Sequence, residues 1–133
     1  MKRIQVVCGI IEKDGRVFAV RRGETKYEYT SHKWEFPGGK IEPGETASEA
    51  LKRELQEELD IEVRVGDKVA IVEHQYPDFV IRMDAFRCTL VGTQPVLKEH
   101  VEMKWCTLED LRELDWAPAD IPIMKTYVGL SLN

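Results

Sequence analysis

The 133-residue sequence has no apolar run that approaches the roughly 20 residues of a membrane-spanning helix. Cysteine is also scarce. The sequence has an odd number of cysteines, and they form neither a CxxC pair nor a metal-ligand spacing: Cys8, Cys88 and Cys106. This argues against a disulfide framework and favours buried, reduced thiols in a reducing compartment. The run 4–11 leads into Glu-Lys-Asp-Gly without a small-residue cleavage site, which indicates a strand and a turn rather than a signal peptide. We therefore expect a cytoplasmic protein.

An excess of basic residues is missing too. The sequence has 24 Asp and Glu against 19 Lys and Arg, a net charge of −5. An acidic surface argues against nucleic acid and anionic membranes as partners, because both bind basic patches. A phosphate substrate remains compatible with this charge if a divalent cation bridges the two. With 43% apolar and 32% charged residues, the composition excludes a disordered, collagen-like or coiled-coil chain and predicts one domain over 1–133.

Hydrophobic patterning predicts strands and helices without regular β-α-β alternation. The predicted strands are 4–11, 17–21, 34–36, 61–65, 69–75, 79–90 and 104–106, and the predicted helices are 46–59, 108–114 and 119–130. Asp14-Gly15 predicts a hairpin, and Pro37-Gly38-Gly39 predicts a turn with unusual backbone angles. The polar segment 23–33 is predicted to be a long loop or a lid. This mixture is typical of an α+β fold with a sheet flanked by helices.

The helix at 46–59 places acidic side chains on the face that should be buried. Thr46 and Glu49 form a capping-box pattern at its start. On a helical wheel, Glu54 and Glu58 lie on the side of the apolar stripe, and Glu57 lies at its edge. A solvated acidic face does not explain this pattern, because the solvent face lies elsewhere and like charges at i, i+4 destabilise a helix. Carboxylates on a half-buried face need cations, and hard oxygen ligands suit Mg²⁺ or Mn²⁺.

The segment 38–61, GGKIEPGETASEALKRELQEELDI, resembles the Nudix box, Gly-x5-Glu-x7-Arg-Glu-U-x-Glu-Glu-x-Gly-U, in which U is aliphatic. Eight positions are in register, namely Gly39, Glu45, Arg53, Glu54, Leu55, Glu57, Glu58 and Ile61. One position departs, since Asp60 stands where the motif has its second glycine. That residue is expected to end the helix in a left-handed conformation, which Asp tolerates better than most residues.

The resemblance extends over nearly the whole chain to the MutT-type nucleoside triphosphate pyrophosphohydrolases. The opening strand, the Arg21-Arg22 pair and the segment 34–40 are similar to that subgroup, and the tail 99–122 is most similar to its CTP pyrophosphohydrolase branch. This resemblance implies an α/β/α sandwich around a mixed sheet. It also implies hydrolysis of a nucleoside triphosphate to a nucleoside monophosphate and pyrophosphate.

The resemblance further implies a magnesium site, with Mn²⁺ as the alternative ion. The implied metal ligands are the Gly39 carbonyl, Glu54, Glu57, Glu58 and Glu99, and the implied catalytic residues are Arg53, Glu54, Glu57 and Glu99. Glu45 and Arg53 are expected to brace the loop against the helix. Glu99 is either a metal ligand, a base or only a surface residue. The neighbouring His100 is either a base or a packing residue.

Five residues are candidates for nucleotide binding. Arg22 and Lys40 occupy positions that would contact the triphosphate or the base, although an arginine at a strand end is otherwise an ion-pair partner. Phe36 could stack on a base or belong to the core. Asp78 lies in a predicted turn and is either a nucleotide contact or a residue that serves the turn alone. Asp120, near the start of the last helix, either caps the helix or accepts a hydrogen bond from a base edge.

Three functions compete on these residues. The first is hydrolysis of a nucleoside triphosphate, with CTP, a methylated deoxycytidine triphosphate and an oxidised purine nucleotide left open. The second is hydrolysis of another diphosphate, such as ADP-ribose or a dinucleotide polyphosphate, which would not release pyrophosphate. The third is a nucleotide sensor without catalysis, against which the intact Arg53 and the helix carboxylates argue. A monomer and a small homo-oligomer are both compatible with the sequence.

Overall fold

The computed structural model describes residues 1–131, which form a seven-stranded sheet with packed helices. The strands are β1 (Lys2–Lys13), β2 (Arg16–Arg21), β3 (Trp34–Glu35), β4 (Gly38–Lys40), β5 (Glu62–Gln75), β6 (Phe79–Val91) and β7 (Glu102–Cys106). The helices are α1 (Ala47–Leu59), α2 (Leu108–Glu113) and α3 (Ile121–Ser131), with a 3₁₀ turn at Pro118–Asp120. The order in the sheet is β3-β2-β1-β6-β5, while β4 pairs with β1 and β7 pairs with β2. Because β1 and β6 are parallel and the other pairs are antiparallel, the sheet is mixed.

Side chains of the sheet form two separate apolar clusters. Val7 and Ile11 of β1 pack with the leucines of α1, whereas Cys8 and Ile10 pack with residues of α2 and α3. This separation follows from the two-residue period of a strand, which sends neighbouring side chains to opposite faces. The predicted α/β/α sandwich is confirmed. None of the helices in residues 1–131 is long and apolar enough to cross a membrane.

Helix α1 has the predicted ends. The Thr46 hydroxyl accepts a hydrogen bond from the Glu49 amide at 3.1 Å, and the Glu49 carboxylate accepts one from the Thr46 amide at 2.9 Å. At the other end Asp60 is left-handed, with φ 55° and ψ 39°, as expected where the motif has glycine. Lys98 Nζ lies 2.9 Å from Asp60 Oδ1, and the Val96 amide donates to the Leu59 carbonyl at 2.9 Å. The segment before β7 is thereby attached to the end of α1.

The predicted break between strands 61–65 and 69–75 is wrong, because β5 runs through it. Its pairing with β6 shifts register between Val65 and Lys68 and again between Lys68 and Ala70. Gly66 and Asp67 favour a turn locally, but the long partner strand pairs on both sides of them and converts the break into a bulge. The last helix also begins later than the predicted 119, because Pro118–Asp120 form a 3₁₀ turn before α3.

The predicted turn at Pro37-Gly38-Gly39 is wrong as well. Gly38 and Gly39 belong to β4, and neither has a positive φ. Glycine is required here by close approach, since a Cβ on Gly38 would lie 1.9 Å from the Val7 carbonyl oxygen. The strand β4 therefore brings its backbone directly against β1, at the base of the segment that leads to α1.

Candidate active site

Arg53 joins the loop before α1 to the helix itself. Its Nε and Nη2 donate to the two carboxylate oxygens of Glu45 at 2.8 and 2.9 Å, and Nη2 also donates to the Lys40 carbonyl at 3.1 Å. The hydrogen bond from Arg53, with that from the Glu42 amide, lowers the pKa of Glu45 to about 2. This geometry is what the bracing role predicted for Glu45 and Arg53 requires.

The three carboxylates of α1 that were predicted to bind metal differ in environment. The Glu54 side chain is 15% exposed and accepts from Arg53 Nη1 at 3.0 Å, whereas the Glu57 side chain is 60% exposed and lies 3.4 Å from the same atom. Burial, followed by the charges of Glu54 and Glu99, raises the pKa of Glu58 to about 8. Within residues 1–131 no basic side chain forms an ion pair with Glu58.

The backbone of Gly39 lies against the carboxyl group of Glu54. A Cβ on Gly39 would be 2.3 Å from the Glu54 carboxyl carbon. The absence of a side chain at this position therefore lets the main chain of β4 and a carboxylate of α1 share one small space. The structure thus brings together Gly39 and Glu54, two of the predicted metal ligands.

A cavity of about 160 Å³ opens beside this carboxylate cluster and contains a buried acid. Asp120 is 4% exposed, and its Oδ2 accepts a hydrogen bond from the Phe36 amide at 2.8 Å. Its Oδ1 has no hydrogen-bond partner within residues 1–131. Burial, and then the charge of Glu35, raise the pKa of Asp120 well above its ordinary value, against the opposing effects of the Phe36 amide and Arg22. The predicted helix-capping bond of Asp120 is not formed, because its side chain reaches Phe36 instead.

Phe36 is both a core residue and a wall of this cavity. It is 3% exposed, and its ring stacks on Trp116 with centroids 4.5 Å apart. Phe36 is therefore a core residue, as one of the two interpretations predicted. Part of its side chain also faces the cavity, where a ligand would contact it.

Arg22 borders this cavity and a second one, which is polar. The second cavity, also about 160 Å³, is lined in part by Glu58, Glu99 and His100. Arg22 Nε donates to both carboxylate oxygens of Glu35, at 2.9 and 3.0 Å. A charged side chain thus stands between the cavity of Asp120 and the carboxylates of the helix and the Glu99 loop.

Two predicted nucleotide-binding residues lie apart from these cavities. Lys40 has an exposed side chain and lines neither of them. Asp78 lies in the turn between β5 and β6, where its Oδ2 accepts from the Tyr29 hydroxyl at 2.7 Å. The structure therefore does not bring these two residues to Asp120, and Asp78 instead holds part of the 23–33 segment.

Glu35 and Tyr76 line the cavity, although no role was assigned to them from the sequence. The Tyr76 hydroxyl accepts from the Ala119 amide at 3.0 Å, which fixes the 3₁₀ turn that carries Asp120. For Glu35 a signal was available, since one carboxylate between the buried Trp34 and Phe36 needs a cationic partner. The sequence gives no comparable signal for Tyr76.

Comparisons with known proteins agree with this geometry. The model of the NUDIX domain matches residues 1–127. The chain is 37% identical to the CTP pyrophosphohydrolase of Escherichia coli over 98% of its length and 95% of the relative's. It is 34% identical to the 8-oxo-dGTP diphosphatase of the same organism, over 93% of this chain and 95% of that one. The solution structure of the E. coli ORF135 protein superposes with a TM-score of 0.86 at 37% identity, covering 98% of this chain and 92% of that one.

The chain belongs to the Nudix family. As a Nudix hydrolase it retains every charged residue of the box, and its one departure, Asp60, keeps the left-handed backbone that ends α1.

The donor set of this Nudix site suits a divalent cation. It combines a main-chain segment held open by glycine, carboxylates on one helix face and the half-buried Glu58, which forms no ion pair with a basic side chain of residues 1–131. In residues 1–131 no three acidic, cysteine or histidine side chains converge on a single point, and Arg53 provides the positive charge beside Glu54 and Glu57. The chemical type of these oxygen donors therefore fits a divalent cation, which would bind beside the positive charge of Arg53.

Proposed function

We propose that the chain hydrolyses a nucleoside triphosphate, CTP or dCTP first among them, to the monophosphate and pyrophosphate with Mg²⁺. The observation that carries the proposal is the buried Asp120 in a cavity next to the carboxylates of α1, with Arg22 between them. A base seated against Asp120 would direct its phosphates past Arg22 toward Glu54 and Glu58. The acidic surface then suits the substrate only through a bridging cation.

Each residue of the site would have one task in this reaction. Asp120 accepts an N–H from the base, while Arg22 offers Nη1 and Nη2 to the triphosphate. Glu99, exposed at the second cavity, takes a proton from the attacking water. A cation bound by the Gly39 carbonyl, Glu54, Glu57 and Glu58 would supply positive charge to the phosphate oxygens. Arg53 keeps the helix and its loop in register.

A damaged purine nucleotide is the second candidate substrate. The relatives act on CTP and on 8-oxo-dGTP, as their names state. A guanine-type base offers ring and amino N–H donors, so an accepting Asp120 would serve either base. We place CTP first because the similarity to the CTP pyrophosphohydrolase covers more of this chain at higher identity.

A nucleotide panel with product analysis tests the proposal. CTP, dCTP, UTP, 8-oxo-dGTP and ADP-ribose are each incubated with enzyme and Mg²⁺, and with EDTA as the control. We expect pyrophosphate and CMP from CTP, and no reaction in EDTA. Release of inorganic phosphate from CTP, or cleavage of ADP-ribose alone, would contradict the proposal. Binding of CTP without any product would instead support a nucleotide sensor.

The close contact at Gly39 gives a second test. In Gly39→Ala the new Cβ must displace the Glu54 carboxyl group, which is the movable end of a side chain, so the fold should survive. We expect kcat with CTP to fall about a hundredfold, as displacement of a catalytic group by about 1 Å does. The melting temperature should change little.

The matched comparison is Gly38→Ala, where the Cβ would meet the backbone of β1 instead. This variant should lose about 3 kcal/mol or more of stability, because the new Cβ would clash with main-chain atoms of β1, which cannot rotate away as a side chain can. Full activity in folded Gly39→Ala would exclude the placement of Glu54 in the reaction.

A further inference from the structure

Within residues 1–131, His100 is a buried histidine with a single polar partner. Its side chain is 6% exposed, and Nε2 lies 3.1 Å from Glu35 Oε1. Its other ring nitrogen, Nδ1, is buried and has no hydrogen-bond partner in the part of the chain that the structure describes. A packing residue in this position would be more stable without an unpaired buried nitrogen. The contact with Glu35 is therefore the feature that a histidine provides here and an apolar side chain does not.

Glu35 is the carboxylate that holds Arg22. Both of its oxygens accept from Arg22 Nε, and Oε1 also contacts His100. Within residues 1–131 the structure has no hydrogen bond from Nη1 or Nη2 of Arg22. A guanidinium fixed at Nε keeps its two outer amino groups for another anion. The position of Glu35 therefore decides where those two groups are presented.

The segment that carries His100 is held by its backbone, independently of the ring. The Val96 amide donates to the Leu59 carbonyl at 2.9 Å, and the Val101 amide donates to the Arg21 carbonyl at 3.0 Å. These bonds attach the segment to α1 on one side and to β2 on the other. The imidazole is thus not needed to keep Glu99 near the site, and its hydrogen bond serves Glu35.

We propose that His100 is a positioning residue, which donates from Nε2 to Glu35 and thereby fixes Arg22 in the orientation that binds the triphosphate. This role rests on the proposed function. The ring supplies Glu35 with a second donor beside Arg22, so that the carboxylate stays in place if Arg22 moves. Loss of the donor should therefore weaken substrate binding more than the chemical step.

Three variants separate this role from simple packing. His100→Leu fills the space without a donor, His100→Gln keeps a donor near the position of Nε2, and Glu35→Met removes the acceptor. We expect His100→Leu to raise KM for CTP about tenfold while kcat changes by less than about threefold, the pattern of lost uniform binding. His100→Gln should restore KM to within about threefold of the wild type. The control is His32→Asn, at an exposed histidine with positive φ whose side chain forms no hydrogen bond within residues 1–131, and this variant should behave as wild type.

A double variant that combines His100→Leu with Glu35→Met decides whether His100 acts through Glu35. If it does, adding His100→Leu to Glu35→Met should change KM by less than about twofold, because the interaction is already lost. Additive effects, or a fall in kcat with unchanged KM, would overturn the proposal, as would a His100→Gln variant as impaired as His100→Leu. Equal melting temperatures for His100→Leu and wild type are expected, and a large loss would identify a packing role instead.

A spectroscopic measurement tests the contact without turnover. The ¹⁵N resonances of the His100 ring, in protein without nucleotide or cation, should report a proton on Nε2, and Glu35→Met should abolish that preference. A ring that carries its proton on Nδ1 and none on Nε2 in the wild type would overturn the proposal. Should the wild-type enzyme hydrolyse none of the nucleotides, the proposed function fails, whereas the ring spectrum still decides the contact with Glu35.

Discussion

Replacement of Glu58 by Gln is expected to lower kcat for CTP about a thousandfold, the upper range for the loss of one group that stabilises charge at a reacting centre. Glu58 is the half-buried carboxylate of α1 that forms no ion pair with a basic side chain of residues 1–131, and it lies near Glu54 and Glu99. Such a group is costly unless a cation joins it, so the free energy of cation binding should depend on it more than on its neighbours.

The same substitution should change stability in a way that depends on pH. The pKa of Glu58 is raised from 4.5 to about 8 by burial and neighbouring charges, so its contribution to stability is full below pH 4.5 and is lost as the pH rises toward 8. Gln carries no charge and loses nothing over this window. In EDTA, Glu58→Gln should therefore melt higher than the wild type at about pH 9 and similarly at about pH 4.

Added Mg²⁺ separates the two effects. It should raise the melting temperature of the wild type in proportion to its binding, and raise that of Glu58→Gln much less. Glu57→Gln should lose less activity than Glu58→Gln, because its carboxylate is 60% exposed and faces Arg53. Glu62→Gln, at an exposed position of β5, is the control without effect. A Mg²⁺-induced shift in Glu58→Gln as large as in the wild type would remove Glu58 from the cation site.

Asp120→Asn is expected to reverse part of the preference for CTP over UTP. In the wild type Oδ2 accepts from the Phe36 amide and Oδ1 is left for the base. In the variant the amide oxygen must take the Phe36 N–H, so the amide nitrogen occupies the position of Oδ1 and donates. Cytosine offers an amino donor there and uracil a carbonyl acceptor. The mismatch costs about 1–3 kcal/mol, or about ten- to a hundredfold in the ratio of kcat/KM values.

The pH dependence of that ratio follows from the environment of Asp120. Burial raises the pKa of this acid, and its neutral form can donate to uracil whereas its ionised form only accepts. The preference of the wild type for CTP should therefore grow with rising pH, and that of Asp120→Asn should not. A ratio that is unchanged by the substitution would leave Asp120 with the single task of holding the Phe36 backbone.

Stability provides an internal check on Asp120→Asn. A buried acid with a raised pKa contributes stability below its ordinary pKa of 3.8 and loses it as the pH rises through the raised value. The variant should therefore gain stability relative to the wild type as the pH increases. Thermal unfolding at several pH values measures this difference, and the opposite trend would contradict the assigned environment.

What the sequence predicted best is the part of the site built from neighbouring residues. The capping box, the inward face of Glu54 and Glu58 and the left-handed Asp60 all depend on the period of one helix and its ends. They could be predicted because each partner lies within one or two helical turns of the other.

The other contacts of the site depend on pairing between segments that are distant in the sequence. Asp120 and Phe36 are 84 residues apart in the chain, and His100 and Glu35 are 65 apart. No local pattern encodes such contacts, since they follow from the strand order and from the register of β2 with β3 and β7. The same reason explains why the predicted turn at Pro37-Gly38-Gly39 and the predicted break within β5 were wrong. In both places pairing with a neighbouring strand outweighed the local preference for a turn.

The two apolar clusters on opposite faces of the sheet give this small enzyme two layers that could open separately. Phe36, Tyr76 and Cys8 belong to the layer of α3, whereas the leucines that anchor the helix carboxylates belong to the layer of α1. A nucleotide that contacts Asp120 at one end and the α1 carboxylates at the other opposes the opening of both. The protection of the α1 and α3 amides from hydrogen exchange would then increase together on binding. The two layers, which have no common core, would behave as one cooperative unit while substrate is bound.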